Sequence, residues 1–125
     1  MRKLVLAVAV LFLSALSFAQ SYSIVLNFVP GLGGETVSGF IIQRATVSGG
    51  PYTTICGGNS QPPCPIFSPT VTHYTYVDTS GTDNVLVGGS TYFYVVVATG
   101  PKGKSPHSNE VRAFIPHPGL SATVI

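Results

Sequence analysis

The stretch over residues 86–98 is the feature that most constrains the fold. It reads Leu-Val-Gly-Gly-Ser-Thr-Tyr-Phe-Tyr-Val-Val-Val-Ala, a glycine-containing turn followed by aromatic and β-branched residues, which is typical of a buried β-strand. The two-residue period of a strand places apolar side chains on both faces, with Tyr92, Tyr94, Val96 and Ala98 on one face and Phe93, Val95 and Val97 on the other. Because both faces must be covered, we predict that the chain closes a β-sandwich over this strand.

The N-terminus has the pattern of a signal peptide. A basic start, Met1-Arg2-Lys3, precedes an apolar run over residues 4–16, and Ser17-Phe18-Ala19 fits a signal peptidase site. The run is shorter than the roughly 20 residues of a membrane-spanning helix. We therefore expect cleavage after Ala19, a domain over residues 20–116 and a proline-containing tail over residues 117–125. The expected location is secreted or in the cell envelope, without membrane insertion after cleavage.

The charge distribution argues against nucleic acid as a partner. The chain has a formal net charge of +2, but Arg2 and Lys3 belong to the predicted signal peptide. The remaining positive residues, Arg44, Lys102, Lys104 and Arg112, are balanced by Glu35, Asp78, Asp83 and Glu110. No basic patch of the kind that contacts phosphates is left.

Cys56 and Cys64 enclose the sequence Gly-Gly-Asn-Ser-Gln-Pro-Pro. In an exported chain we expect an isolated pair to form a disulfide, which would stabilise the fold by about 2–3 kcal/mol. A redox pair would favour the spacing Cys-x-x-Cys, and a zinc site would need two further ligands nearby. Both alternatives are therefore less favoured than a structural disulfide.

The rest of the chain consists of short strand patterns between turns rich in Gly and Pro, with no helix pattern after the signal peptide. The other predicted strands cover residues 21–28, 37–44, 52–56, 73–77 and 109–115. The predicted core is Ile24, Leu26, Phe28, Phe40, Ile42, Tyr76, Leu86, Tyr92, Tyr94, Val96 and Val111. This succession of short strands predicts an antiparallel sandwich.

Several landmarks together resemble a bacterial fibronectin type III domain over about residues 22–116. In chain order they are Gly39-Phe40-Ile41-Ile42-Gln43-Arg44, Ser48-Gly49-Gly50-Pro51-Tyr52, Tyr76-Val77-Asp78-Thr79, Leu86 six residues before Tyr92, and Ser108-Asn109-Glu110-Val111. The resemblance implies an all-β, antiparallel, immunoglobulin-like sandwich. It also implies that the Tyr92 hydroxyl bonds the backbone of the preceding turn, that Leu86 packs beneath Tyr92, and that Phe28 replaces the tryptophan usual in the family.

The resemblance further implies that one strand is missing. Residues 22–28 match the second strand of the family, so the mature chain would have no residues for the first strand, and one sheet would have an open edge. Residues 120–125, Leu-Ser-Ala-Thr-Val-Ile, resemble the first strand of a following repeat. We hypothesise that the segment from Leu120 to Ile125 completes the open sheet of a neighbouring molecule in a head-to-tail assembly, or that of its own domain.

Catalytic and metal-binding patterns are weak. No pair of carboxylates is placed for acid–base chemistry, and no nucleophile elbow is present. His73, His107 and His117 fall in three separate segments, so no metal or cofactor is predicted. Residues 78–84 alternate oxygen-bearing side chains, faintly like a calcium loop, but the closing bidentate Glu is absent and the stretch is more typical of a turn.

Binding is the function class that the sequence favours. The resemblance places the loops over residues 30–36, 57–70 and 100–108 at one pole of the sandwich, and loops on a rigid scaffold commonly carry recognition. We predict a non-catalytic domain that binds a protein or carbohydrate there, with candidate residues Glu35, Asn59, Lys102, Lys104 and His107. The alternatives are an assembly subunit that self-associates through residues 120–125 and, less favoured, a small hydrolase or metal-binding protein.

Overall fold

A computed structural model describes residues 4–15, 20–31, 36–59, 61–79 and 86–116. Its strands are β1 (Leu4–Ala15), β2 (Gln20–Pro30), β3 (Gly39–Ala45), β4 (Thr53–Cys56), β5 (Tyr74–Thr79), β6 (Thr91–Gly100), β7 (Gly103–Lys104) and β8 (Val111–Phe114). Over these ranges the chain has no helix with the length and apolar character needed to cross a membrane.

The strands form two antiparallel sheets. The first sheet has the order β1-β2-β5, and the second has the order β4-β3-β6, with both β7 and β8 paired to β6. The predicted all-β, antiparallel sandwich is thus confirmed. The strand bounds differ from the prediction by one or two residues, and β5 continues over Asp78 and Thr79, which we predicted to begin a turn. The loop over residues 100–108 also contains the two-residue strand β7, and the last strand is limited to Val111–Phe114. In the segment that connects β7 to β8, Ser105 and Ser108 bond the β6 backbone in place of regular strand pairing, as described below.

The edge of β2 is paired in the full chain. We expected that edge to be open in the mature chain, but in the full chain β1 pairs along it, from Leu4 opposite Pro30 to Ala15 opposite Gln20. The reason is physical, because an apolar run that can extend will satisfy an unpaired strand edge. The first strand is therefore present in the full chain, within the predicted signal peptide. Residues 117–125, the other predicted source of that strand, lie outside the described residues.

The core lies between the two sheets and contains most of the predicted residues. Tyr76 and Val111 are only partly buried, whereas Tyr74, Ile55 and Ile115 are buried in addition to the predicted set. Phe28 occupies the centre, with its ring centroid 5.0 Å from that of Phe40 and 5.6 Å from that of Tyr74. This aromatic cluster fills the space between the sheets with large rings in favourable edge and stacked contacts.

Strand β6 is covered on both faces. Tyr92, Tyr94 and Val96 point into the core, while Val95 and Val97 on the opposite face are only 1% and 6% exposed. Burying an aliphatic side chain of this size contributes about 1.5–3 kcal/mol. The alternation of its apolar side chains therefore contributes to the stability of β6 on both faces.

A buried ion pair joins the two sheets. Arg44 on β3 contacts Asp78 at the end of β5, with Nη1 2.9 Å from Oδ2, and the Asp78 side chain is 2% exposed. The Tyr94 hydroxyl donates to the same carboxylate oxygen at 2.6 Å. Burial, together with the charge of Asp78, raises the pKa of Tyr94, so this phenol remains a proton donor. The carboxylate is therefore held by one cation and one hydroxyl from the opposite sheet.

Two tyrosines fasten turns to the sandwich. The backbone N–H of Val87 donates to the Tyr92 hydroxyl at 2.8 Å, and Leu86 beside it is buried. Tyr74 plays a similar part that the sequence did not indicate, because its hydroxyl donates toward the carbonyls of Ser68 and Val71 at 2.9 and 3.1 Å. Each buried phenol thus has a backbone partner, as buried polar groups require.

Replacing the buried carboxylate should weaken the whole fold. We expect Asp78→Asn to lower the free energy of unfolding by about 3–5 kcal/mol, because the Arg44 cation would lose its counter-charge inside the protein. Urea denaturation at neutral pH measures this difference. Thr79→Ala, at the exposed neighbouring position, is the matched control and should change the free energy by less than about 0.5 kcal/mol. An effect of Asp78→Asn as small as that of the control would contradict the assignment.

Candidate functional site

Parts of three loops meet at one pole of the sandwich. The backbone N–H of Ser38 donates to the Thr99 carbonyl at 2.7 Å, and Gly100 lies so close to Thr36 that a Cβ on it would come within 2.3 Å of the Thr36 carbonyl oxygen. Gly57 has φ +86°, and a Cβ there would lie 2.4 Å from the Phe40 carbonyl oxygen. Only glycine permits this conformation and these approaches without strain. The two glycines therefore allow the described parts of the loops to pack together at what we call the three-loop pole.

A groove runs over the outer face of the second sheet toward this pole. Its floor comes from strand side chains that point away from the core, and its wall comes from β7 and the segment after it. The groove has a volume of about 360 Å³ and is lined by Ile41, Gln43, Thr54, Val97, Lys104, Ser105, Pro106 and His107. We refer to it as the Gln43 groove. Its size is at the lower end of the range for small-ligand sites.

Gln43 at the floor of the groove has an incomplete set of hydrogen bonds. Its amide Nε2 donates to Thr54 Oγ1 at 3.2 Å, which orients the side chain. Its carbonyl Oε1 is buried and has no hydrogen-bond partner among the described residues. A buried acceptor without a partner costs about 1–3 kcal/mol, so a donor would gain a hydrogen bond with this oxygen if the Gln43 amide turned to expose it.

Two buried serines hold the wall of the groove against β6. Ser105 Oγ accepts a hydrogen bond from the Ala98 N–H at 2.9 Å, and Ser108 Oγ accepts one from the Val96 N–H at 2.8 Å. The backbone N–H groups of the same serines donate to the carbonyls of Ala98 and Val96. Each serine therefore satisfies both backbone groups of a β6 residue where the regular strand is interrupted. This places Lys104 and His107 at the groove.

Glu110 fastens the turn after β3 close to the groove. Its carboxylate accepts hydrogen bonds from the Ser48 hydroxyl at 2.6 Å, the Gly49 N–H at 2.8 Å and the Tyr52 hydroxyl. These hydrogen bonds, of which the one from Ser48 has the largest effect, lower the pKa of Glu110. Burial and the hydrogen bond to Glu110 raise the pKa of Tyr52 to about 12. The Tyr52 ring then contacts His107 edge-on, with centroids 5.1 Å apart, so the Glu110 network supports the side chain at the groove rim.

A second groove lies beside the disulfide at the three-loop pole. The predicted Cys56–Cys64 bond is present, with its Cα atoms 5.1 Å apart. The groove, of about 390 Å³, lies between the start of β3 and the loop after β4, and it includes Gln61 and Ile66. Ile66 is 88% exposed. The disulfide and the hydrogen bond from the Gly57 N–H to the Pro62 carbonyl fix the shape of this loop.

The structure brings together only part of the predicted binding set. Lys104 and His107 line the Gln43 groove, Lys102 is exposed in the turn before β7, and Asn59 is exposed in the loop after β4. Glu35 lies outside the described residues. The main residue that sequence reasoning missed is Gln43, whose only signal was a polar side chain on the outer face of a strand.

The structure also describes two of the three histidines and the first two residues of the predicted turn over residues 78–84. His73 is exposed and bonds Thr72 through Nδ1 at 2.9 Å, His107 is at the groove rim, and His117 is not among the described residues. Asp78 points into the sandwich, and the residues 80–84 that would continue the loop are outside the description. Within the described ranges, no three His, Cys, Asp or Glu side chains are grouped as metal ligands would be.

Comparison with known proteins yields a limited set of similarities. No protein-family model matches the chain, and no curated protein matches it significantly. Among solved structures, the chain is similar to a Fn3-like protein from Clostridium thermocellum, with 24% sequence identity and a TM-score of 0.44. The similar region covers 78% of this chain and 80% of that protein.

The Glu110 network predicts a pH-dependent contribution to stability. Because the pKa of Glu110 in the folded protein lies below its ordinary value of 4.5, its contribution should be present above pH 4.5 and lost as the pH falls through the folded-state pKa. We therefore expect Glu110→Gln to be less stable than the wild type at pH 7, with the difference shrinking steadily below pH 4.5. Urea midpoints measured from pH 7 to pH 3 test this, with Lys102→Gln as the control. A difference independent of pH would contradict the assignment.

The buried serines predict a second effect on stability. Ser108→Ala should lower the free energy of unfolding by about 1–3 kcal/mol, because the buried N–H of Val96 would lose its acceptor. Ser108→Thr, which keeps the hydroxyl, tests whether the hydroxyl or the small volume is required. Hydrogen exchange of the Val96 amide gives the local measurement, and unchanged protection of that amide in Ser108→Ala would contradict the role assigned to the hydroxyl.

Proposed function

We propose that this protein is an exported, non-catalytic interaction domain that binds a protein or carbohydrate through the Gln43 groove and the adjoining three-loop pole. The observation that carries the proposal is the buried carbonyl oxygen of Gln43, which lacks a partner among the described residues at the floor of a groove. Buried acceptors are normally satisfied in folded proteins. Because this oxygen has no exposed surface in the free protein, the Gln43 amide would turn toward the groove to accept a hydrogen bond from a ligand hydroxyl or amide group.

The other groups at the groove are suited to a polar ligand. Lys104 contributes an ammonium donor and Thr54 a hydroxyl, while Ile41, Val97 and Pro106 provide apolar surface. A few oriented polar groups on an apolar floor are typical of ligand sites. Tyr52 and His107 at the rim add aromatic surface against which a sugar ring or a peptide side chain can pack.

The placement of the described carboxylates supports a binding role. Asp78 is inside the sandwich and held by Arg44 and Tyr94, and Glu110 accepts three hydrogen bonds in the turn network. Neither lines the Gln43 groove. Both acids are thus engaged in structural contacts and do not face the groove.

Export is proposed from the signal-peptide pattern and the disulfide. A basic start and an apolar run precede a small-residue cleavage site, and the Cys56–Cys64 bond is of the kind that persists in oxidising compartments. Both features support a secreted or cell-envelope location. Cleavage after Ala19 would be measured as the mass of the exported protein.

Binding can be tested with the isotopically labelled exported protein. We would titrate it with neutral tetrasaccharides (cellotetraose, xylotetraose and chitotetraose) and, separately, with a library of extended peptides, while recording ¹H–¹⁵N spectra. The expected result is that one probe class shifts the Gln43 side-chain amide together with Thr54 and His107. Shifts confined to other surfaces, or none with either class of probe, would contradict the proposal.

A pair of glutamine variants assigns the binding site. Gln43→Leu should weaken the dissociation constant of the responding probe about tenfold, because the ligand donor would lose its acceptor. Gln61→Leu, the matched change in the second groove, should alter it less than about twofold. The free energy of unfolding of Gln43→Leu should stay within about 1 kcal/mol of the wild type, since the variant removes both a hydrogen bond and an unsatisfied carbonyl. Equal affinities of the two variants would place the site elsewhere.

A further inference from the structure

Strand β1 is the edge strand of the first sheet, and it coincides with the predicted signal peptide. It pairs with β2 from Leu4 opposite Pro30 to Ala15 opposite Gln20, while the other side of β2 pairs with β5. Cleavage after Ala19 would remove all of β1. The eleven-residue strand β2 would then have backbone N–H and C=O groups without partners along one side.

The opened edge would adjoin the core. Tyr22, Ile24, Leu26 and Phe28, the inward side chains of β2, are all between 0% and 5% exposed while β1 is in place. Loss of the neighbouring strand would bring water closer to these side chains as well as to the backbone. The mature protein therefore has two reasons to recruit a new strand, namely hydrogen bonding and apolar burial.

The chain leaves the sandwich at the pole opposite the three-loop pole. Strand β8 ends at Phe114 opposite Thr91, the first residue of β6. The start of β2 is at that same pole, because Ser23 pairs with Thr79 and the adjacent Asp78 contacts Arg44 near the end of β3. The last described residues, up to Pro116, thus lie at the same pole as the start of β2. For the residues that follow, pairing with β2 of their own domain would have to be parallel to it, whereas β1 is antiparallel.

We propose that removal of β1 opens β2 as an acceptor site for residues 120–125 of a second copy of this chain. The donated segment would pair antiparallel with β2, in the direction that β1 has in the full chain. Because each copy has one acceptor edge and one donor segment, the contact is head-to-tail, and repetition builds a chain of subunits. Before cleavage, β1 covers the acceptor edge and prevents assembly.

The sequence of the donor segment fits a half-buried edge strand. In Leu-Ser-Ala-Thr-Val-Ile, Leu120, Ala122 and Val124 alternate with Ser121 and Thr123, which is the period-two pattern of a strand with one apolar face. Six residues span about 20 Å, so the segment would cover roughly half of the β2 edge. Pro116 and Pro118 separate it from β8 and stop that strand from continuing.

The test uses the full-length chain exported with its own leader and purified after export. Mass spectrometry establishes whether residues 1–19 have been removed, and light scattering over a range of concentrations gives the oligomeric state. Val124→Asp places a charge on the apolar side of the donor segment, and Thr123→Asp places the same charge on the polar side. A synthetic peptide of residues 117–125, added to the wild type, serves as a competitor that requires no variant to fold.

The proposal predicts concentration-dependent oligomers of the processed protein. Val124→Asp should weaken self-association about tenfold or more, because a carboxylate would have to be buried, whereas Thr123→Asp should change it less than about threefold. The free peptide should dissociate wild-type oligomers. A leader that stays attached, a processed protein that is monomeric at every concentration, equal effects of the two aspartate variants, or oligomers that resist the peptide would each overturn the proposal. The proposal that the groove binds a ligand would survive any of these outcomes, because its readout is the Gln43 groove. A leader that stays attached would also contradict the proposed cleavage after Ala19.

Discussion

Strand β6 carries apolar side chains on both faces, and the other elements of the second sheet are arranged to cover it. Its inner side chains, such as Tyr94 and Val96, pack into the core against the first sheet, while Val95 and Val97 are buried on the outer face. Strands β3, β7 and β8 satisfy its two edges. The segment after β7 continues the pairing of one of these edges through Ser105 and Ser108, and the same segment forms the wall of the Gln43 groove. The core and the candidate site thus depend on one strand.

The few charged side chains have specific structural positions. Asp78 and Arg44 connect the two sheets within the sandwich, where the carboxylate is almost completely shielded from water. Glu110 instead gathers three donors at the surface and supports Tyr52 at the groove rim. In the first case the ionic contact orders the packing of the sheets, and in the second it orders a turn. Substitutions of the two acids should therefore differ in the size of their effects.

The two proposed interaction surfaces lie on different sheets. The Gln43 groove is on the outer face of the sheet that contains β3 and β6, whereas the acceptor edge belongs to β2 in the other sheet. The chain also leaves β8 at the pole opposite the three-loop pole. Head-to-tail strand exchange would consequently leave the groove accessible on each subunit. An assembly of this kind would present the groove in many copies, and such multivalency increases the strength of binding to a repetitive ligand.

The sequence by itself determined the sandwich, because the period-two alternation in strands such as β2 and β6 and the intervening Gly and Pro turns depend only on neighbouring residues. Most of the core, including Phe28 and Tyr92, followed from the same alternation. The disulfide followed from an isolated cysteine pair in a chain with a signal-peptide pattern. Tertiary structure decided the groove, because Gln43 on β3, Thr54 on β4 and the segment after β7 are separated in sequence and line one groove only in the folded sheet. It also decided that β1 pairs with β2, since a signal-peptide pattern and an edge strand are both apolar runs, and only the presence of an unpaired edge distinguishes them.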